Sequence, residues 1–588
     1  MKNRLIILLS AVLILTGCKD LIEPNIQNNR QLDPNAYLPN DARFPYGVLL
    51  NAYTRIPTNG WTFSDVATDD AVSNDQNNAY LKVATGQWTA INNPLNQWTN
   101  GFAAIQYINI VLEEADKVKW ATNEAKSSLF NMRIKGEAYG LRGLYMYHLL
   151  LNHAGVASDG RLMGVPILLK PQTAASDFNI PRATFQECVA QIYSDLDIAE
   201  RNLPLDYERV SDASQIPSQF GPSVELYNDV FGDAFRGLFT ARIAKAIRAQ
   251  TAFLAASPAF KTGGNNATWD DAAKHAAALI NMKGGVSGLA ANGLQWYSNA
   301  AEITGLKDGA NPAEILWRSN AVDNRELEQA NFPPTLFGQG RINPTQNLVD
   351  AFPMVNGYPI SDPASGYNPN TPYVNRDPRL RTFILVNGGT AGVANTVINT
   401  AADGTTNDAL NKVETSTRTG YYLRKLLRQD VNLNPNSSTN QRRYKPHIRY
   451  TEIYLMYAEA ANEAWGPTGT GGNAYSAYDV IKAIRNRAGI GTTNGDPYLE
   501  SAKGSKESMR ALIRNERRLE LCFEGFRFWD LRRWKENLNE KAKGISIANG
   551  VHTVINVQDR VYQPFMNFGP LPYSEILKFP ALLQNTGW

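Results

Sequence analysis

The chain has 588 residues, enough for two or more domains or one large elaborated one with ample core. Apolar residues make up 43% and charged residues 19%, which excludes a disordered chain. Its 58 Lys and Arg against 55 Asp and Glu give a formal charge of +3, too near neutrality to support a nucleic-acid-binding role.

Lys2 and Arg4 form a short positive region ahead of the apolar stretch Leu5 to Leu15. That is the length of a secretory leader, about half of what a membrane span needs. Small residues precede Cys18 in Leu15-Thr16-Gly17-Cys18, where an ordinary leader has its cleavage site. The arrangement has the form of a lipobox. Residues 1–17 are then a signal peptide, and Cys18 carries diacylglycerol as the new N-terminus, so that several acyl chains hold the chain to a membrane. Loss of Lys2 and Arg4 leaves 56 basic against 55 acidic residues, a charge of +1. Residues 18–40 read as a polar tether, some twenty residues that reach on the order of 70 Å when extended.

A helical region is expected over 41–283. Its first strong helix lies near Gln97 to Val118, with Phe102, Ile105, Ile108 and Leu112 on its apolar side. A second, from about Ser127 to Asn152, repeats Ile134, Ala138, Leu141, Tyr145 and Leu149 at helical spacing. Further helices are expected over Thr184 to Leu203, Arg236 to Ala256 and Asp270 to Met282. Residues 284–588 open with an irregular insert, 284–446, punctuated by Gly, Asn, Pro and Asp. Within it, Ile315-Leu316-Trp317 and Phe383 to Val386 have the composition of short strands. Helical pairs return over 447–535, in Ile448 to Trp465, Ala474 to Ala488 and Lys506 to Phe523, and 536–588 reads as C-terminal loops. Small alanines at helical spacing allow close antiparallel packing of tetratricopeptide type.

The chemistry-bearing residues exclude more than they assign. Apart from Cys18, only Cys188 and Cys522 remain, both in helical-looking segments and expected as buried free thiols. No CxxC or HExxH pattern appears among the five histidines, so no metal site is assigned. No cofactor is expected. Asp65 to Asp75 is a weak candidate for structural calcium, because the Gly and terminal Glu of an EF-hand are missing. A glycoside hydrolase needs two carboxylates facing one cleft at roughly 5 to 10 Å, and no such dyad is recognisable, so an enzyme is not expected.

Three segments together carry a family signature: Arg449-Tyr450-Thr451-Glu452-Ile453-Tyr454-Leu455-Met456-Tyr457-Ala458-Glu459-Ala460, Ile484-Arg485-Asn486-Arg487-Ala488-Gly489, and Glu516-Arg517-Arg518-Leu519-Glu520 through Gly525-Phe526-Arg527-Phe528-Trp529-Asp530 to Trp534. Further matches are Asn343-Pro344-Thr345, Arg376-Asp377-Pro378-Arg379, Leu141-Arg142-Gly143 and Gly164-Val165-Pro166. In these segments, and over nearly the whole chain after Cys18, the sequence resembles the SusD/RagB outer-membrane nutrient-uptake lipoproteins. The resemblance implies a mainly α fold: a tetratricopeptide-like helical-pair scaffold with an irregular, loop-rich ligand face and a few short strands. It implies a non-enzymatic lipoprotein at the outer surface of the outer membrane, Lys19-Asp20 and Glu23 having the look of a surface-export signal. It also implies a partner, a SusC-type TonB-dependent barrel for which the protein is the lid. The expected cargo is oligosaccharide, with RagB-type peptide capture as the alternative. The dense charges of Glu516 to Arg533 are expected to form structural ion pairs.

A sugar ring packs its C–H face on an aromatic plane while its hydroxyls need short polar partners. On that ground Trp61, Asp69, Asp70, Tyr80 and Trp88 form one candidate ligand site, and Trp296 with Tyr297 a second. Arg376, beside Pro378, is a candidate contact, although pinning its own loop is the simpler role. Trp98 is expected in the core.

Overall fold

The computed structural model describes residues 42–57 and 62–588. Cys18, the leader, the tether and Trp61 lie outside these. The principal helices are α1 (Arg43–Tyr53), α2 (Trp98–Glu114), α3 (Glu124–His153), α4 (Phe185–Asn202), α5 (Ala241–Ala256), α6 (Trp269–Met282), α7 (Pro378–Phe383), α8 (Tyr450–Trp465), α9 (Ala477–Arg487), α10 (Lys506–Glu520) and α11 (Arg527–Trp534). The fold is mainly α. Helices α1 to α6 pack each on the next, α6 packs on α8, and α8 receives both α9 and α10. One core runs through this stack, from Leu49 of α1 through Leu141, Leu196 and Ile247 to Ile453 and Ile513.

Local chemistry sets the helix ends. Thr184 and Glu187 form a capping box at the start of α4, and the Thr240, Thr268, Ser476 and Ser505 side chains cap α5, α6, α9 and α10. The expected helix from Arg236 begins only at Ala241, because Thr240 supplies the cap and Gly237 just before it is left-handed at φ +90°. Helix α1 falls inside the helical region expected over 41–283, where the sequence assigns no individual helix before Gln97. Pro45 sits in its first turn, where a missing N–H costs the helix no hydrogen bond. Gly140 of α3 permits close approach, since a Cβ there would sit 2.3 Å from the Phe239 ring. Arg142 of α3 ties three helices, donating to both Asp195 oxygens of α4 at 2.7 and 2.8 Å and to Asn109 of α2 at 3.0 Å.

The region after α6 contains short antiparallel pairs, β2 (Ile315–Arg318) with β6 (Pro446–Arg449) and β4 (Ile384–Leu385) with β5 (Tyr422–Leu423), and its β3 (Ile342–Pro344) pairs with β1 (Ala71–Ser73) from ahead of α2. Ile448, expected in a helix, belongs to β6. The C-terminal region, expected as loops, contains the longest strands, β7 (Ala542–Ala548) and β8 (Val551–Gln558). Asn549 and Gly550, at φ +50° and +75°, make the tight turn between them, a pairing that favours such two-residue hairpin loops.

A buried ionic network joins the two halves of the C-terminal region. Glu516 of α10 accepts from Arg379 at 2.9 Å and Arg485 at 2.6 Å; Glu520, one turn on, accepts from Arg379 at 3.0 Å and Arg487 at 2.9 Å. Arg487 also approaches Glu314, which pairs with Arg449, and Arg449 and Lys425 share Glu524. Burial pushes the Glu516 and Glu520 carboxyls up, but the arginines outweigh it and hold both below the usual range. Glu516→Gln leaves Arg379 and Arg485 short of an anion and is expected to cost about 3–5 kcal/mol, read as a lowered urea midpoint at unchanged slope.

Candidate ligand cleft

The structure draws most of the sequence-selected residues into its interior. Trp88 is 2% exposed. Its ring lies 5.5 Å from Phe528, 6.5 Å from Tyr562 and 4.8 Å from Trp588, with the Arg532 guanidinium 5.0 Å above it. Its Nε1 donates to Asn93 at 3.0 Å. Trp296 is equally buried between Tyr297 and Tyr444. Neither tryptophan presents a face to a ligand, which corrects the expectation for both. Trp88 is covered by C-terminal residues and Trp296 by Tyr444, partners far away in sequence. Trp88→Ala is therefore expected to destabilise the fold by about 3–5 kcal/mol, seen as a lowered melting temperature without any ligand present.

Asp69 and Asp70 are corrected in the same way. Arg518 of α10 donates to both at 2.8 Å, and Arg527 of α11 donates to both Asp69 oxygens at 3.1 Å. Burial pushes Asp69 up, but Arg518 and Arg527 outweigh it and hold this carboxyl well below its usual range. The pair thus staples the N-terminal segment to the C-terminal helices. Arg376 pins its own loop: it donates to Pro372, Val349 and Phe352 carbonyls at 2.8, 2.6 and 2.7 Å, and its remaining Nε is buried away from any ligand. Tyr80 is half-buried, packed against two core clusters and hydrogen-bonded to Thr62, the residue after Trp61.

The Asp65–Asp75 loop spends its carboxylates on protein partners, and among the described residues no cluster of three His, Cys, Asp or Glu side chains could hold a metal ion. Asp65 is fully buried, and its Oδ1 accepts from the Phe523 N–H at 2.9 Å. Burial, helped by the nearby Asp70, pushes Asp65 up to about 7. The unfolded carboxyl ionises near 3.9, so between about pH 4 and pH 7 the folded state binds the extra proton. This contribution to stability therefore falls as pH rises across that window and is flat above it. Asp65→Asn keeps the acceptor for Phe523 and removes the ionisation. It is expected to raise stability at pH 8 by about 2–4 kcal/mol, a gain that shrinks towards pH 4 in urea titrations. Cys188 and Cys522 are buried free thiols, both pushed up to about 12 by burial.

Of the selected residues, Tyr297 borders an open cavity. This cleft of about 440 Å³ is lined by Gln295, Tyr297, Ser298, Arg381, Thr382, Arg424, Leu427, Gln429 and Asp430. Its walls follow from the local fold. Asp377 caps α7, which carries Arg381 and Thr382, and leads directly into β4. β5 pairs antiparallel with β4, so Arg424, the next residue, returns beside the end of α7. The Phe383 carbonyl accepts from the N–H groups of both Arg424 and Lys425 at 3.0 Å. Leu426 then takes φ +70°, a strained conformation for a leucine, and its backbone hydrogen-bonds the Tyr297 hydroxyl. Arg428 donates to Asp430 at 2.9 Å, and Gln429 accepts from the Gly392 N–H at 3.0 Å. The sequence reading missed Arg381, Arg424 and Gln429 because their proximity depends on the β4–β5 pairing. The motif Arg376-Asp377-Pro378-Arg379 did mark the neighbourhood.

A second groove, of about 450 Å³, lies between α2 and the C-terminal segment and is walled by Trp98, Phe102, Leu168, Phe178 and Phe579. The Gln106 side-chain amide bonds both backbone groups of Gln172, at 2.7 and 2.9 Å, and the rest of the groove is mostly apolar. The Tyr297 cleft has the more polar lining.

The fold defined by these elements is a mainly α helical-pair scaffold with an irregular region inserted before α8. The family model described as "SusD family" matches residues 314–588, and that described as "Starch-binding associating with outer membrane" matches residues 46–219. The chain belongs to the SusD/RagB family. It is 34% identical to SusD-like protein P2 of Formosa agariphila over 150 residues, 25% of this chain and 26% of that protein. The match thus spans about a quarter of the relative's length. Among solved structures it is similar to a SusD-like protein from Bacteroides fragilis, at TM-score 0.70 and 22% identity over 95% of this chain and 98% of that one. It is also similar to a SusD-like carbohydrate binding protein from the same species, at TM-score 0.66 and 21% identity over 92% and 99%. Among the described residues no helix is long and apolar enough to cross a membrane.

Proposed function

We propose that the protein captures oligosaccharide in the Tyr297 cleft and passes it to a SusC-type TonB-dependent outer-membrane barrel over which it sits as a lid. In this reading acyl chains on Cys18 anchor it to the outer membrane with its body at the cell surface, and the tether after Cys18 gives the body room to swing. Family membership supports the partner and the place. The observation that carries the ligand is the cleft's mixed lining: an aromatic edge at Tyr297 beside the amides of Gln295 and Gln429, the Thr382 hydroxyl and two guanidiniums, a set matched to sugar hydroxyls. Asp430 is the one carboxylate in this lining, and Arg428 engages it. A single engaged carboxylate supplies no acid–base pair for glycosidic cleavage, so the reading is capture and delivery.

A glycan array probed with the chain from Cys18 onward, made with Cys18→Ser, tests this. At least one oligosaccharide class is expected to bind, and the double variant Gln295→Ala/Gln429→Ala to weaken that binding roughly tenfold, the loss of one to two hydrogen bonds, at an unchanged melting temperature. No glycan binding, with oligopeptides raising the melting temperature instead, would turn the reading to peptide capture.

A further inference from the structure

Two adjacent segments, α7 and the residues after β5, each carry a pair of cations, and the two pairs are treated differently. Arg379 and Lys425 face inward. Arg379 is matched by Asp377, Glu516 and Glu520, and Lys425 by Glu524 at 2.6 Å and by the Glu520 and Cys522 carbonyls. Arg381 and Arg424 line the cleft. Among the described residues, neither makes a carboxylate ion pair. Arg381 is exposed, and Arg424 spends one nitrogen on the Thr390 carbonyl. The only cleft carboxylate, Asp430, already has Arg428. The cleft therefore presents two cations whose charge the protein does not balance.

We propose that the ligand of this cleft is an acidic glycan, whose carboxylate or sulfate groups are engaged by Arg381 and Arg424. The proposal rests on the glycan-capture reading and narrows it. A half-buried guanidinium without a counter-ion has lost part of its hydration, and burial holds Arg424 below its ordinary value. An incoming anion restores what was lost, and a planar guanidinium suits either oxyanion through paired N–H donors. Tyr297 and Leu427, both largely buried, form the apolar floor behind the two guanidiniums. A neutral glycan would leave both charges unanswered.

Calorimetric titration with oligogalacturonate and with sulfated galactan oligosaccharides tests this. Each is run beside its neutral counterpart, carboxyl-reduced or desulfated, against the wild type and the Arg381→Gln and Arg424→Gln variants. At least one acidic ligand is expected to bind about tenfold or more tighter than its counterpart. That margin should vanish in either variant and shrink as salt rises from roughly 50 to 500 mM. Preference for the galacturonate arm assigns a uronate, and preference for the galactan arm a sulfate ester. Arg381 is exposed, so its variant is expected to melt like the wild type and stands if Arg424→Gln misfolds. Acidic and neutral forms binding alike would overturn the proposal and leave glycan capture standing. No glycan binding at all, with acidic peptides bound instead, would overturn both.

Discussion

The buried ionic network around Glu516 and Glu520 is the constraint on which the C-terminal region depends. These carboxylates sit one turn apart on a single face of α10 and collect arginines from α7 and α9. Neither helix contacts α10 over a long apolar stripe; α7 has only six residues. Hydrophobic burial is non-directional and would tolerate several seatings of so short an element. Guanidinium–carboxylate pairs in a dry interior tolerate few, because each misplacement strands a charge. The network need not stabilise more than apolar packing of the same volume. Its effect is to select one arrangement.

That selection reaches the cleft directly. Arg379 and Arg381 lie two residues apart on α7, and Arg424 and Lys425 are neighbours after β5. Fixing Arg379 on Glu516 and Lys425 on Glu524 fixes which way Arg381 and Arg424 point. The same two segments thus serve as the floor of the core and as the wall of a binding surface. Asp69 and Asp70 do comparable work for the N-terminal segment, drawing it onto α10 and α11 through Arg518 and Arg527. β1 follows at once and pairs with β3, so the start and middle of the chain close over the same helix.

The helical stack was legible because its signals are local. Ile134, Leu141 and Leu149 declare an apolar face, and Thr184 with Glu187 declares a start. The family motifs of α8 to α11 were equally plain, and their structural role could be argued from charge spacing. The ligand site was not legible by the same means. Aromatics among short polar residues have the look of a sugar-binding surface, but here the polar residues satisfy backbone and indole groups. Asn93 accepts from Trp88 and Leu95, Asn78 caps the turn at Tyr80, and Asn74 donates to the Gln339 and Gly340 carbonyls. A loop-rich region needs such residues to pair its own peptide groups, so asparagine beside tryptophan does not distinguish a ligand surface from an irregular core. The β7–β8 hairpin was missed for a different reason: its Asn549-Gly550 turn is a strong signal, but β8 has no buried residue and lacks clean alternation.

What separates the Tyr297 cleft from the buried candidates is therefore not aromatic content. Several buried cations are met by sets of carbonyls: Arg376 has three, Arg560 has Thr68 and Ala71, and Arg182 has Gly164, His153 and Met163. Arg424, half-buried with a single carbonyl, and Arg381 beside it on the cleft wall have no carboxylate among the described residues. In this cleft it is those two charges that a partner from outside the chain would meet.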